Sequence, residues 1–156
     1  MKRKLAALFS AAAILAGCEC QDQHPVSVSD GVGAGPGTSD VAKEFASQTE
    51  DRVFYAFDNS ELTPTSRASL ESQAKWLMEH KDVSVEVQGY CDVRGPVVYN
   101  DRLGQRRADS AAHYLVHLGV DESRVKTISF GKRVVLVPGD TEAAHAQNRA
   151  AITVAQ

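Results

Sequence analysis

Residues 83–119 read VSVEVQGYCDVRGPVVYNDRLGQRRADSAAHYLVHLG, and this stretch decides the fold. Its first five residues alternate apolar and polar side chains, which predicts a β-strand that ends at about Gly89. Gly95 and Pro96 are typical of the start of a helix, and Gly119 is typical of the position just beyond one. The stretch therefore predicts a strand, a turn and a long helix in succession.

The flanking residues repeat this alternation of strands and helices. Val53–Phe57 is β-branched and aromatic and predicts a strand, whereas Thr63 followed by Pro64 predicts the start of a helix that runs to about His80. Downstream we expect strands at 125–130 and 151–154, separated by a loop at 133–140 and a short helix at 141–148. Crossover connections then place both long helices on one face of the sheet. The predicted fold class is α/β, or α+β if the last strand is antiparallel, in one domain over residues 51–156.

Arg107 lies on the apolar side of the predicted long helix. On a helical wheel, Leu103, Ala111 and Leu115 fall within one apolar arc of roughly 140°, and Arg107 falls near its middle. The other charged residues of this helix lie on the opposite arc, as expected for a solvated face. Because an unpaired interior charge costs several kcal/mol, we expect an acidic group to meet Arg107.

Two aspartates are candidates for that partner. Asp92 follows the strand that ends near Gly89, and Asp58 follows Val53–Phe57. Ligands of open α/β sheets bind beyond the carboxyl ends of strands, where both aspartates are predicted. One guanidinium and two carboxylates suit a zwitterionic ligand. Alternatively, Asp92 and Arg107 form an internal salt bridge and Asp58 is a turn residue; the residues alone leave both interpretations open.

The N-terminus has the pattern of a bacterial lipoprotein signal peptide. Basic residues precede an apolar run of about a dozen residues, too short for a membrane span of roughly 20 residues, and the run ends in LAGC at 15–18. We expect residues 1–17 to be removed, Cys18 to carry lipid, and residues 18–50 to form a flexible tether. Without the signal peptide, 14 basic residues face 20 acidic ones, and this net charge of about −6 argues against nucleic acid as a partner.

Five stretches together resemble the OmpA-like peptidoglycan-binding domain family. They are FDNSEL at 57–62, GYCDVRGPVVYN at 89–100, RLGQRRADSAAHYL at 102–115, SFGK at 129–132 and AHAQNR at 144–149. With a lipobox and a tether in front of one such domain, the layout is similar to that of the lipid-anchored members, the peptidoglycan-associated lipoproteins. The resemblance implies two main helices on one face of a mixed four-stranded sheet. Tyr90 and Ala150 depart from the usual pattern of these lipoproteins.

The resemblance also implies a ligand, the diaminopimelate of the peptidoglycan stem peptide. By motif position, Asp92 and Arg107 match the family's acidic and basic ligands, Asp58 and the Phe57 backbone match the contact in the first turn, and Leu103 matches the apolar wall. Asn100 matches a supporting residue that orders the start of the helix. No cofactor or metal is implied.

Partners and location follow from the same resemblance. It implies binding to peptidoglycan, docking to the periplasmic protein TolB within the Tol-Pal system, and attachment to the outer membrane through lipid at Cys18, with the domain facing the periplasm. Envelope integrity and cell division are the processes implied. The alternative is another lipoprotein that carries the same domain in motility, secretion or virulence and anchors to the wall without TolB.

An enzyme is the main alternative class. Its best case is Cys91 as a nucleophile with His113, His117 or His145 as the base, but no oxyanion-hole motif accompanies Cys91. His113 and His117 are spaced for a shared metal ion but lack the further ligands that zinc requires. We therefore expect a binding protein, and the pairing of Cys20 with Cys91 stays open.

Overall fold

A mixed four-stranded sheet forms the centre of the structure, a computed structural model that describes residues 38–156. The strands are β1 (Arg52–Phe54), β2 (Val85–Tyr90), β3 (Val125–Gly131) and β4 (Ala150–Ala155), in the spatial order β1-β4-β2-β3. β2 and β3 are parallel, and β4 is antiparallel to both β1 and β2. The predicted mixed sheet of alternating strands and helices is confirmed, and because the last strand is antiparallel the structure takes the α+β alternative of the predicted α/β class.

The helices of the described residues are α1 (Thr38–Gln48), α2 (Pro64–Glu79), α3 (Val97–His117) and α4 (Glu142–Asn148), and a 3-10 turn at Glu122–Arg124 leads into β3. α2 begins as predicted, because the Thr63 side chain accepts a hydrogen bond from the Ser66 N–H and Pro64 is the first helical residue. Beyond α3, Gly119 has a φ of +108°, a left-handed conformation that favours glycine. Local sequence signals therefore set the start of α2 and the end of α3.

The core lies between one face of the sheet and the helices α2 and α3. The buried side chains that fill it include Val53, Val85, Val87, Leu70, Leu77, Ala111 and Leu115. Alternate residues of β2 face this core because side chains of a strand point to opposite faces in turn. Burying a side chain of this kind contributes about 1.5–3 kcal/mol. The packing holds the first half of α3 beside the carboxyl ends of β1 and β2.

Helix α1 corrects the predicted boundary between tether and domain. Residues 38–50 were assigned to the tether, but Thr38–Gln48 is helical, and Phe45 is 1% exposed in the core. The Phe45 ring meets the Trp76 ring edge to face at a centroid distance of 5.2 Å, and Trp76 Nε1 donates to the Gln48 side chain. The folded unit therefore begins at least as early as α1, because Phe45 anchors that helix in the core.

Several earlier predictions lie outside the described residues. They are the signal peptide at 1–17, the lipidation site Cys18, and the tether up to residue 37. Cys91 is a free thiol in the described part of the chain. No helix of residues 38–156 combines the length and the apolar character that crossing a membrane requires.

Candidate ligand-binding site

A pocket of about 290 Å³ opens where α3 passes the ends of β1 and β2. Its lining includes all six residues that the sequence analysis proposed for the site: Phe57, Asp58, Asp92, Asn100, Leu103 and Arg107. The structure therefore brings together side chains that are up to 50 positions apart in the chain. Further lining residues, which the sequence analysis had not assigned to the site, are Cys91, Arg94, Gly95, Pro96, Tyr99 and Arg149.

Arg107 is buried, at 1% exposure, yet its hydrogen-bond partners are not carboxylates. Its Nε donates to the Asn59 carbonyl at 2.9 Å, Nη1 to the Tyr90 carbonyl at 2.9 Å, and Nη2 to the Ala56 carbonyl at 3.1 Å. Within residues 38–156, no carboxylate lies within 4.0 Å of this guanidinium. The expectation that a carboxylate of the protein itself meets Arg107 was wrong, as was the internal Asp92–Arg107 salt bridge.

Backbone carbonyls replace the missing acid because α3 passes where several strands and turns end. Carbonyl oxygens carry partial negative charge, and a guanidinium has five N–H groups to share among them. Nη1 also donates to Cys91 Sγ at 3.4 Å, so one N–H, on Nη2, has no acceptor among residues 38–156. Burial lowers the pKa of Arg107 from its usual value, but arginine stays protonated. The pocket therefore contains a buried cation that no carboxylate of the described part of the chain contacts.

Asp92, which is 4% exposed, is held by two other arginines. Its Oδ2 accepts from Arg94 Nη2 at 2.5 Å and from Arg149 Nη1 at 3.4 Å, and its Oδ1 accepts from the Arg94 backbone N–H. Burial opposes ionisation of this carboxyl, but the hydrogen bonds from Arg94 and Arg149 outweigh it, so that the pKa of Asp92 is lowered. Asp92 is therefore an ionised acid in the same pocket as Arg107.

Phe57 and Asp58 form one rim of the pocket. Asp58 has a φ of +52°, which is uncommon for a residue other than glycine, and its exposed carboxylate accepts a hydrogen bond from the Tyr99 hydroxyl. The Phe57 ring is 61% exposed and lies 4.5 Å from the Arg94 guanidinium carbon, a cation–π contact. An exposed acid and an exposed ring therefore border the opening.

Asn100 and Leu103 form the wall contributed by α3. The Asn100 side-chain amide donates to the carbonyls of Arg94 at 2.7 Å and Pro96 at 3.1 Å, which ties the turn after β2 to the helix. Leu103 is 5% exposed and lies one helical turn before Arg107. Asn100 thus holds in place the turn that carries Asp92 and Arg94.

The pocket does not contain the groups that an acyl-transfer enzyme needs. Cys91 Sγ donates to the Asn100 carbonyl at 3.3 Å, and burial raises the pKa of its thiol, which disfavours the reactive thiolate. Among the described residues, no histidine is hydrogen-bonded to Cys91; His145 instead lies 3.2 Å from Asp140. The arrangement suits binding of a small charged ligand.

Comparison with known proteins identifies the class. Residues 54–149 match the OmpA family, and the chain therefore belongs to the OmpA family. A peptidoglycan-associated lipoprotein of Brucella melitensis is 36% identical over 149 residues, which are 95% of this chain and 88% of that protein. The peptidoglycan-associated lipoprotein of Mesorhizobium japonicum is 40% identical over 78% of this chain and 72% of its own length. The resemblance inferred from the motifs is confirmed.

Solved structures give the same result for the fold. The crystal structure of the peptidoglycan-associated lipoprotein from Burkholderia pseudomallei superposes with a TM-score of 0.66 and 35% sequence identity, over 68% of this chain and 90% of that one. The C-terminal domain of Helicobacter pylori MotB superposes with a TM-score of 0.64 at 18% identity, over 68% of this chain and 84% of that one. The second similarity is one of fold alone.

Proposed function

We propose that this chain binds peptidoglycan non-covalently through the diaminopimelate of the stem peptide. The observation that carries the proposal is the buried guanidinium of Arg107, which has no carboxylate partner in the described residues and lines the same pocket as ionised Asp92. A buried charge without a partner is costly in a protein of ordinary stability. A ligand carboxylate at Arg107 supplies the missing counter-charge.

The free end of diaminopimelate carries both groups that this pocket complements. Its carboxylate accepts a hydrogen bond from the remaining N–H of Arg107, and its ammonium binds Asp92. Asp58, at the rim, provides a second acid for the ammonium. Charge-assisted hydrogen bonds of this kind are roughly twice as strong as neutral ones. Leu103 and the Phe57 ring offer apolar surface to the methylene chain between the two charged ends.

Co-sedimentation with purified peptidoglycan tests this proposal. We expect Asp92→Asn to weaken binding of the full-length chain to diaminopimelate-containing peptidoglycan about 10-fold or more, because hydrogen bonds to charged groups contribute roughly 1.5–3 kcal/mol. Asp82→Asn is the matched control, since Asp82 is exposed in the turn before β2, at the far end of that strand. Peptidoglycan with lysine in place of diaminopimelate lacks the carboxylate and should bind weakly to every variant. Equal binding of Asp92→Asn and Asp82→Asn would reject the site.

Lipid anchoring at Cys18 completes the proposed role. An acylated Cys18 holds the chain at the outer membrane, and the domain holds the wall in the periplasm, so that the protein links the two. Its relatives are lipoproteins by name, and their alignments cover up to 97% of this chain, which supports the assignment. Metabolic labelling with a fatty acid, lost in Cys18→Ser, and fractionation of the envelope test the anchor and its membrane.

We further infer from these relatives that the chain works with TolB in the Tol-Pal system, in envelope integrity and cell division. A pull-down from envelope extract with the full-length chain should recover TolB together with wall fragments. Recovery of wall fragments without TolB would instead favour an OmpA-domain lipoprotein of motility, secretion or virulence.

A further inference from the structure

Four charged side chains form a closed ring of alternating sign at the wall of the pocket. Arg94 contacts Asp92 at 2.5 Å and Glu142 at 3.3 Å, and Arg149 contacts Asp92 at 3.4 Å and Glu142 at 2.8 Å. Asp92 and Arg94 come from the turn after β2, whereas Glu142 and Arg149 come from the two ends of α4. Of these four, the sequence analysis assigned only Asp92 to the site.

The two arginines of this ring differ in how firmly the protein holds them. The Arg149 side chain is 9% exposed, and its Nε donates to the Tyr55 carbonyl at 3.2 Å. The Arg94 side chain is 39% exposed, and apart from the two acids of the ring it contacts the Phe57 ring. Arg94 is therefore the member of the ring that a ligand can displace.

Arg94 also forms hydrogen bonds to Asp92, the carboxylate that the ammonium of the proposed ligand would bind. Both oxygens of Asp92 accept hydrogen bonds from Arg94, one from its backbone and one from its side chain. An ammonium that approaches Asp92 must therefore compete with the Arg94 guanidinium. If Arg94 leaves Asp92, Glu142 and the Phe57 ring remain to stabilise its charge.

We propose that Glu142 is a positioning residue of the site, which holds Arg94 when a ligand ammonium takes its place on Asp92. This inference rests on the proposed function. In this arrangement Arg94 competes with the ligand ammonium for Asp92. A ligand that has a carboxylate but no free ammonium therefore leaves Arg94 in place and gains only the contact to Arg107. The site thereby selects a ligand that carries both charges at one end.

A double-mutant cycle on binding tests this role. The probe is the soluble tripeptide L-Ala-γ-D-Glu-meso-diaminopimelate, titrated calorimetrically into the full-length chain. We expect Glu142→Gln to weaken binding about threefold to fivefold, the range for a partly exposed ion pair, because displaced Arg94 then has no acid to bind. In an Arg94→Ala background, only Arg149 still contacts Asp92, and the Tyr55 carbonyl holds Arg149 in place. Adding Glu142→Gln there should leave the affinity unchanged.

The outcomes separate this inference from the proposed function. Glu79→Gln is the matched control, since Glu79 is exposed at the end of α2 and has no ion-pair partner in the described residues. An equal loss from Glu142→Gln with and without Arg94 would show that Glu142 acts only through folding or direct contact, and an unchanged affinity in the single variant would also overturn the inference. If the wild-type chain does not bind the tripeptide at all, the proposed function itself fails.

Discussion

Gly89 of β2 and Gly104 of α3 meet backbone to backbone where the helix crosses the sheet. A methyl group at Gly89 would overlap the carbonyl of Gly104, and one at Gly104 would overlap the Ser129 hydroxyl and lie 3.0 Å from the Gly89 carbonyl oxygen. Only hydrogen side chains permit this approach. It is the approach that brings Arg107, one helical turn further along α3, within reach of the Tyr90 carbonyl.

We therefore predict that alanine at either glycine destabilises the domain, and at Gly89 by more. Overpacking of this kind costs about 1–3 kcal/mol, and the obstacle at Gly89 is backbone, which cannot move aside. Urea unfolding measures the loss. Adding Ser129→Gly should restore part of the stability of Gly104→Ala, because it removes the hydroxyl in the way, and should not restore Gly89→Ala. Equal rescue of both variants would contradict this account of the crossing.

Arg107→Ala should weaken both folding and binding. The substitution removes the donor shared by the carbonyls of Ala56, Asn59 and Tyr90, which belong to three separate positions around the pocket. We expect a loss of about 2–3 kcal/mol in the free energy of unfolding, since each hydrogen bond contributes roughly 1 kcal/mol. Arg107→Lys keeps the charge but cannot reach all three carbonyls, so it should lose less stability than alanine and still bind poorly. Wild-type stability in Arg107→Ala would contradict the structural role.

The elements of the fold could be predicted because their signals are local. Thr63 and Pro64 start α2, and Gly119 closes α3, at the positions that capping preferences favour. The strand predicted from Val83 to about Gly89 starts two residues too early and ends one residue too early, since β2 is Val85–Tyr90. Boundaries of that kind depend on pairing with β3 and β4, which a single strand's pattern does not contain.

Contacts between distant segments could not be predicted. The helical position of Arg107 predicted that it is buried. Its partners are backbone carbonyls, which every residue carries, so residue types could not identify them. Arg149 contacts Asp92 across 57 positions of the chain, and Glu142 contacts Arg149 and Arg94. Residues 141–148 were assigned from the sequence to a short helix and 144–149 to the family resemblance, but neither residue was assigned to the site. The motifs predicted six of the residues that line the pocket, whereas the ring of charged side chains around Asp92 was visible only in the structure.

Phe45→Ala should destabilise the domain although residues 38–50 resembled a tether. Phe45 packs on Trp76 in the core, and replacing a buried phenylalanine with alanine costs about 3–5 kcal/mol. Trp76 is the sole tryptophan of the chain, so its fluorescence reports unfolding directly. Val41→Ala, at a partly buried position on the same helix, should cost less. If Phe45→Ala unfolds at the same urea concentration as the wild type, α1 contributes nothing to the core.

Tyr55 should make the domain sensitive to alkali. Burial raises the pKa of Tyr55 to about 12, and its hydroxyl donates to the Arg107 carbonyl at 2.8 Å. Because the folded-state pKa lies above the usual value of 10.0, the contribution of the neutral phenol is fully present below pH 10 and is lost as the pH rises towards 12. Linkage makes that loss about 2–3 kcal/mol. Urea unfolding between pH 8 and 12 should show a steeper decline for the wild type than for Tyr55→Phe. Tyr114→Phe, which removes an exposed hydroxyl, should decline nearly as steeply as the wild type.

Asp92 should make both stability and binding sensitive to acid. Its pKa is lowered from the usual 3.8 because hydrogen bonds from Arg94 and Arg149 outweigh the effect of burial. Because the pKa is lowered, the ionised carboxylate contributes its full stabilisation at a pH above the pKa of Asp92 in the unfolded chain. This contribution is lost as the pH falls through the pKa of Asp92 in the folded chain. Asp92→Asn has no such proton to gain, so its urea midpoint should decline less than that of the wild type between pH 5 and pH 3. Wild-type binding of the tripeptide should fall only at a pH below the usual 3.8, where Asp92 of the folded chain takes up a proton, because a protonated Asp92 neither holds an ammonium nor completes the ring with the two arginines. Parallel stability curves for wild type and Asp92→Asn would show that the arginines do not stabilise the ionised form.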